Sequence, residues 1–230
     1  MSHLPSIRKT TDHHHPHARR GLAQRIFARF FAGATATNDD RYPEFYEAAV
    51  SEYKRWLFSD LTGTIAEIGA GTGANFAYYP AGIHWIGIEP NVFMHDHLLR
   101  VAEKHHIQGE IRAGIAEQLE LDDSSVDAVI STLVLCSVDH QAAALSEILR
   151  VLKPGGQFLF MEHVAAPQGT GLRTVQKVIK PVWRMVADGC NTDRDTASAV
   201  QAAGFSHVEI KAFRAPLAIV SPHIAGKATK

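Results

Sequence analysis

The chain has few cysteines, no long apolar run and almost no net charge, and each of these absences excludes a class of protein. Its two cysteines, Cys136 and Cys190, give no disulfide framework and fit a reducing compartment. A run of about 18 apolar residues, which a transmembrane helix requires, is missing. The opening MSHLPSIRKTT lacks the apolar core and cleavage site of a secretory signal. A formal net charge of −1 argues against nucleic acid as a partner. We therefore expect a soluble, cytoplasmic protein.

The length and composition predict one globular domain preceded by a basic arm. The 230 residues are 46% hydrophobic and 20% charged, which is ordinary for a packed domain. We predict an arm with an amphipathic helix over residues 1–40 and the domain over residues 41–230. Histidines of the arm have no fixed geometry, so we expect no metal centre; they include His13, His14, His15 and His17. Basic residues outnumber the single acid Asp12 in residues 1–36, namely Arg8, Lys9, Arg19, Arg20, Arg25 and Arg29.

The stretch from Thr64 to Gly73, TIAEIGAGTG, predicts a buried strand that ends in a glycine-rich turn. Glycines at alternate positions let the backbone approach a ligand closely. A helix predicted to open near Ala74 would point its first N–H groups at that ligand.

The turn alone does not identify the ligand, because Gly69, Gly71 and Ala74 also match the dinucleotide pattern G-x-G-x-x-G/A. Glu89 ends the next apolar run. An acid at this place accepts the hydroxyls of a ribose, whichever cofactor carries that ribose. Glu67 within the strand and Gly73 as a third glycine argue against a dehydrogenase. The remaining chain is also too short for a separate substrate domain.

Taken together, TIAEIGAGTG, Glu89, the strand VDAVIS from Val126 and the segment VLKPGG from Val151 to Gly156 resemble class I S-adenosylmethionine-dependent methyltransferases. A closer similarity, over roughly residues 42–230, is to the alkyl-thiol S-methyltransferases of animal membranes. The segments that carry it are GTGANFAYYP, TLVLCSVD, MEHVAAP, DGCNTDRDT and SPHIAGKATK.

The resemblance implies an α/β, Rossmann-like fold with a seven-stranded, mostly parallel sheet and an antiparallel last strand. It implies S-adenosyl-L-methionine as cofactor. An aspartate that many relatives use for the adenine is replaced by Ile115, so backbone groups near Ile115 and Ala116 are expected to hold the ring. The implied cofactor-binding residues are Glu67, Gly69, Gly71, Gly73, Asn75, Glu89, Pro90, Ile115, Ala116, Glu117 and Leu133.

The implied reaction is direct methyl transfer to a small apolar acceptor, most simply a thiol. A thiol has a pKa of about 8.5, so only modest help from a base is needed at neutral pH. His163 and Asp188 are the candidate catalytic residues, as proton acceptor or as orienting group. Methylation of carbon, nitrogen or oxygen on a lipid, quinone or natural product remains the alternative. A cofactor-binding module without turnover is the third reading.

Two segments are candidates for covering the acceptor. Residues 18–31 predict a basic amphipathic helix, either a lid over the cleft or, through residues 18–33, a peripheral membrane contact. The animal relatives have an apolar N-terminal anchor here, and this chain departs from that. Residues 167–191 predict a helix bent at Pro181 whose apolar side forms a roof. Cys136 is interpreted as a small buried hydrophobic residue.

Five local predictions concern turns, caps and the closing strands. VLKPGG is expected to be a turn that stops a helix. Thr192 with Asp195 is expected to form a capping box. Short closing strands are expected at His207–Phe213 and Leu217–Ile219, with a further stretch from His223.

Overall fold

A computed structural model of the protein describes residues 7–10, 21–36 and 42–230. Its helices are α1 (Leu22–Ala36), α2 (Glu44–Phe58), α3 (His95–Lys104), α4 (Gln141–Val151), α5 (Gly171–Val186) and α6 (Thr196–Ala202). Its strands are β1 (Arg8–Thr10), β2 (Thr64–Ile68), β3 (His84–Ile88), β4 (Gln108–Arg112), β5 (Val126–Thr132), β6 (Leu152–His163), β7 (His207–Arg214) and β8 (Pro222–Thr229).

The strands form one sheet in the order β1-β4-β3-β2-β5-β6-β8-β7. Strands β1 to β6 pair in parallel, whereas β8 lies antiparallel between β6 and β7. The predicted seven-stranded sheet with an antiparallel last strand is confirmed, and the short β1 extends it at the edge of β4. The order reverses between β2 and β5, which is where open α/β sheets bind ligands.

Successive residues of β2 pack into the two different layers that cover the sheet. Ile65 belongs to the apolar cluster that includes Val50 of α2 and Leu98 of α3. Ala66 belongs to the cluster that includes Leu145 of α4 and Val200 of α6. Because strand side chains alternate between faces, an apolar run such as β2 fits a central strand that is buried on both sides.

The prediction of a helix that opens near Ala74, just after Gly73, was wrong. The chain forms only one 3₁₀ turn, Phe76–Tyr78, before it reaches Tyr79 with φ −78° and ψ 135°. Tyr79 precedes Pro80, and the proline ring disfavours helical geometry in the residue before it. The glycine turn therefore faces the cavity without a full helix behind it.

Three further local predictions were also wrong. VLKPGG ends α4 at Val151, as predicted, but it is not a free turn, because β6 runs through it and the backbones of Gly155 and Gly156 pair with Lys230. Leu217–Ile219 is not a strand. Asp195 caps α6 by accepting from Ser198 N, whereas the Thr192 hydroxyl donates to the Gln176 carbonyl. The backbones of Gly155 and Gly156 and the hydroxyl of Thr192 bind partners that are distant in sequence, which local sequence does not reveal.

The N-terminal predictions are only partly covered, because residues 1–6, 11–20 and 37–41, which include the histidines of the arm, lie outside the described residues. No helix in the described ranges combines the length and hydropathy needed to cross a bilayer. The division between arm and domain near residue 40 stays a prediction.

Candidate active site

A cavity of about 600 Å³ opens at the carboxyl ends of β2, β3, β5 and β6. This volume is typical of pockets that enclose a small ligand. Most of the predicted site residues line it: Glu67, Gly69, Gly71, Asn75, Glu89, Pro90, Ile115, Ala116, Leu133, His163 and Asp188.

The glycine turn forms one wall of the cavity. Gly69 has φ +60° and a Cβ there would lie 2.5 Å from a methyl carbon of Val134. Gly71 has φ +56°, and the nearest atom to a Cβ there would be 3.7 Å away. Side chains at these positions would strain the backbone, and at Gly71 a side chain would occupy open space beside the turn.

Glu89 is fixed at the end of β3 by two backbone N–H groups. Gly71 N donates to Glu89 Oε2 at 2.9 Å, and Asn91 N donates to Glu89 Oε1 at 2.8 Å. The carboxylate thus joins the glycine turn to the turn after β3. Carboxylate oxygens of this kind are the acceptors that ribose hydroxyls require.

Glu67 and Asn75 form a buried polar pair below the turn. Glu67 accepts from Asn75 Nδ2 and Trp85 Nε1, both at 2.8 Å, and burial raises the pKa of its carboxyl. Asn75 Nδ2 also donates to Thr132 Oγ1 at 3.0 Å. Among the described residues, Asn75 Oδ1 has no hydrogen-bond partner although it is buried. This oxygen is a ready acceptor for a ligand group.

Two predicted cofactor residues, Gly73 and Glu117, lie outside the cavity. A Cβ at Gly73 would lie 2.7 Å from the Phe76 ring, so this glycine serves packing. The Glu117 carboxylate accepts from Asp139 N and His140 N, at 2.8 and 3.1 Å, just before α4 begins. A carboxylate there satisfies N–H groups beside a helix N-terminus.

The opposite end of the cavity contains a buried cluster of two thiols and an imidazole. His163 Nε2 lies 2.8 Å from Cys190 Sγ, to which Trp183 Nε1 donates at 3.2 Å. The hydrogen bond from Cys136, together with His163, lowers the pKa of the Cys190 thiol to about 5 against the opposing effect of burial. Cys136, His163 and Cys190 all line the cavity.

Two lining residues have left-handed backbone conformations that are uncommon outside glycine. Leu133 has φ 59° and Asp188 has φ 44°. Such conformations cost about 1–3 kcal/mol and concentrate at functional sites. They follow β5 and α5 respectively, so both turns present their backbone to the same cavity.

Helices α1 and α5 contribute to the walls of the cavity through Phe27 and Trp183. Asn91 Nδ2 donates to the Gln24 carbonyl at 3.0 Å, which ties α1 to the turn after Glu89. This placement agrees with the interpretation of α1 as a lid. The predicted roof placed the apolar side of this helix over the cavity. In the structure the apolar side of α5 is instead exposed to solvent, at Val175, Val178, Val182 and Val186.

Comparison with known proteins identifies the family. A family model described as a methyltransferase domain matches residues 66–160. The human thiol S-methyltransferase TMT1A is 40% identical over 203 residues, 83% of each chain. Rat TMT1B is 43% identical over 190 residues, 77% of this chain and 78% of its own. The chain belongs to the methyltransferase family that contains TMT1A and TMT1B. A SAM-dependent methyltransferase from Thermotoga maritima shares the fold with a TM-score of 0.65, at 19% identity over 90% of this chain and 98% of its own.

Methyltransferases of this class use S-adenosylmethionine, and the cavity of this one fits that cofactor. Glu89 offers a charged acceptor for ribose hydroxyls, and the unpartnered Asn75 Oδ1 offers an acceptor for an amino group. Ile88, Ile115 and Ala116 supply the apolar wall that an adenine ring requires. Gly71 leaves space where a Cβ would project beside the turn.

Sequence reasoning missed the association of Cys136 with Cys190 in this methyltransferase. Each cysteine lies in a loop at the ligand-binding edge, one after β5 and one after α5. The sequence motifs TLVLCSVD and DGCN could have drawn attention to the pair only together with the topology. Glu162, next to His163, binds this region too: its Oε1 accepts from Ser131 Oγ, Val134 N and Leu135 N, so it shapes the loop that carries Cys136.

Proposed function

We propose that this methyltransferase S-methylates a small, apolar alkyl thiol. The observation that carries the proposal is the identity of 40–43% to thiol S-methyltransferases over 77–83% of the chain. The cavity is consistent with it, because its acceptor end combines apolar walls with one buried cluster of sulfur and imidazole groups.

S-adenosylmethionine, when bound, supplies an electrophilic methyl group on a sulfonium. The residues of the chain orient the acceptor and exclude water, which are the main protein contributions to such a displacement. We propose that the acceptor sulfur docks beside His163 and Cys190 and loses its S–H proton to solvent through the mouth of the cavity. Asp188, on the neighbouring turn, orients the acceptor.

A direct assay tests the proposal. Purified protein is incubated with methyl-labelled S-adenosylmethionine and a series of alkyl thiols, with the matching alcohols and amines as controls. We expect label in the thioethers alone. Label in a phenol, quinone, amine or lipid, with none in the thiols, would replace S-methylation by another methyl transfer. Binding of the cofactor without transfer to any acceptor would indicate a module without turnover.

We further propose that apolar acceptors reach the cavity from a lipid surface. Exposed apolar side chains lie on the same two helices that contribute to the cavity walls: Leu22 and Ile26 on α1, and Val178, Val182 and Met185 on α5. Arg25, Arg29 and Arg184 are exposed on these helices. Arginines beside an apolar face are typical of contact with anionic headgroups. This would place the protein in the cytoplasm at a membrane surface.

Vesicle co-sedimentation of the full-length protein tests this contact. We expect binding to vesicles that contain phosphatidylserine, and loss of binding in Val178→Asp/Val182→Asp. The matched control is Gln168→Asp/Thr174→Asp, which adds the same charge at exposed polar positions. Equal behaviour of both double variants would remove the membrane contact and leave the helices as a lid only.

A further inference from the structure

The cluster at the acceptor end has the composition and spacing of a metal site. One nitrogen of His163 and the sulfurs of Cys136 and Cys190 all lie within 4.8 Å of one another, and all three residues are buried. Within the described residues, no other group of three potential ligands meets this spacing.

The spacing is close to what a tetrahedral zinc ion needs. Zinc binds thiolate sulfur at about 2.3 Å and imidazole nitrogen at about 2.0–2.1 Å. Tetrahedral angles then separate ligand atoms by about 3.5–3.8 Å. The contact of 2.8 Å between His163 Nε2 and Cys190 Sγ would have to widen by under about 1 Å. Side-chain torsions alone can supply such a shift.

The backbone around the cluster is held in place by interactions that do not depend on a metal. Asn191 donates twice to the Cys136 carbonyl, from its backbone N and from Nδ2, each at 2.9 Å. These bonds join the loop of Cys190 to the loop of Cys136. His163 is the last residue of β6, a strand paired on both sides. The three ligands are therefore positioned in advance by different parts of the fold.

We propose that Cys136, His163 and Cys190 bind one zinc ion whose fourth coordination position takes the sulfur of the acceptor thiol. Three protein ligands with one open position are the pattern of a catalytic zinc rather than a structural one. All three residues line the cavity, so the open position faces the space an acceptor would enter. The identity of the fourth ligand rests on the proposed function, whereas the three-residue site does not.

The chemistry of the site is thiol activation without redox change. Binding of R–SH breaks its S–H bond and forms a sulfur–zinc bond, and the proton leaves to solvent through the mouth of the cavity. Cys136 and Cys190 likewise release their protons when the ion binds. The ion with two thiolates is neutral, and the third thiolate adds one negative charge, which suits attack on a cationic methyl donor.

Cobalt spectroscopy of the full-length protein tests the site without relying on activity. The protein is reduced with a phosphine, stripped of metal with a chelator and titrated with Co²⁺ without oxygen. We expect thiolate-to-cobalt charge-transfer absorption that saturates at one ion per chain and disappears when zinc is added. Because the chain has only two cysteines, this absorption can come only from Cys136 and Cys190.

Variants identify the ligands. Cys136→Ser and Cys190→Ser should each remove about half of the absorption, and all three of Cys136→Ser, Cys190→Ser and His163→Asn should weaken binding at least about tenfold. The matched control replaces His13, His14, His15 and His17 with Gln, which should leave the thiolate absorption unchanged. Wild-type protein without this absorption would overturn the site.

The open position is tested by adding an acceptor. With Co²⁺ bound, 2-mercaptoethanol should raise the thiolate absorption by about half, since a third thiolate joins two, whereas ethylene glycol should not. Absorption that the thiol leaves unchanged would overturn the open position.

Activity separates this inference from the proposed function. If the stripped protein methylates thiols as fast as the zinc-loaded protein, the role of zinc is overturned and S-methylation stands. If the cobalt signals appear but no thiol is methylated, S-methylation fails and the metal site stands.

Discussion

Single side chains hold the walls of the cavity by binding the backbone of the turns around it. Glu89 binds the turns after β2 and β3, Glu162 binds the loop after β5, and Asn191 binds that loop again from the other side. Carboxylates that accept from backbone N–H groups, and side-chain amides that donate to carbonyls, form strong hydrogen bonds with buried backbone. Their loss therefore affects both the shape of the cavity and the stability of the fold.

Glu89 gives the first prediction at this scale. Glu89→Ala should lower the affinity for S-adenosylhomocysteine at least about 100-fold, because two hydrogen bonds to a charged acceptor contribute about 1.5–3 kcal/mol each. Isothermal calorimetry measures the affinity. Glu117→Ala is the matched control, since that carboxylate lies outside the cavity, and its affinity should equal that of the wild type. Similar affinities in both variants would contradict the ribose assignment.

His223 gives a prediction about acid stability. Burial lowers the pKa of His223 to about 4, whereas an unfolded histidine has a pKa of about 6.5. Between these values the unfolded chain binds a proton that the folded chain does not, so stability falls as the pH drops from 6.5 towards 4. The loss should reach about 2 kcal/mol at about pH 5.

Urea unfolding in the presence of a chelator measures this loss. Tyr46 Oη lies 3.0 Å from His223 Nε2, and His223→Gln keeps a polar side chain there without the titrating ring. Between pH 7 and 5 the variant should lose less stability than the wild type by about 2 kcal/mol. Parallel losses in the two proteins would show that other groups cause the acid sensitivity.

At the scale of elements, α5 is attached to the domain through polar contacts rather than through its apolar stripe. Gln176, fully buried, accepts from Ala166 N at 2.8 Å and donates to the Ile219 carbonyl at 3.0 Å. Thr192 Oγ1 donates to the Gln176 carbonyl at 2.7 Å. The valines at positions 175, 178 and 182 are meanwhile exposed. Because α5 buries a glutamine and exposes its valines, it leaves an apolar surface beside the cavity.

Gln176→Leu tests how α5 is attached. It leaves the Ala166 N–H and the Ile219 carbonyl without their partner, at about 1–3 kcal/mol for each buried group. The melting temperature should fall by at least about 4 °C, and backbone amides of α5 should exchange hydrogen faster. Lys177→Ala, one residue away and exposed, should change the melting temperature little. Equal melting temperatures would show that apolar packing holds the helix.

The elements that the sequence predicts well are those whose pattern repeats over their whole length. The strands β2, β3 and β5 and the helix α4 follow from apolar runs and helical spacing, and the antiparallel β8 follows from the family resemblance. The predicted roof shows the limit of this reasoning. The apolar period of α5 predicts a helix correctly, but it does not tell which face is buried, because Gln176 finds its partners only in the folded chain.

The same limit applies to the candidate site. Glu67, Gly71 and Glu89 lie where the motif predicts, since a strand and its turn are continuous in sequence. Glu117, which the family resemblance implied as a cofactor residue, lies outside the cavity lining, and its carboxylate accepts from the two N–H groups just before α4. The pairing of Cys136 with Cys190 depends on loops that are distant in sequence and adjacent only at the sheet edge.

At the scale of the whole molecule, the cavity joins both halves of the sheet. Its lining comes from β2 and β3 on one side of the topological reversal and from β5, β6 and β8 on the other, with α1 and α5 contributing to the walls. A ligand that contacts all of these elements binds the folded chain alone. Its binding free energy therefore adds to the free energy of unfolding.

Thermal unfolding with and without ligand tests this coupling and the choice of cofactor. S-adenosylhomocysteine at about 100 times its dissociation constant should stabilise the fold by about 2.7 kcal/mol, which raises the melting temperature by about 5–11 °C for a domain of this size. NAD⁺ is the matched control, because its ribose would also suit Glu89 while it carries no sulfonium or amino-acid group. Stabilisation by NAD⁺ and not by S-adenosylhomocysteine would contradict the cofactor. The Glu89→Ala variant should lose most of the shift at the same ligand concentration, since removal of that carboxylate weakens the affinity for the ligand.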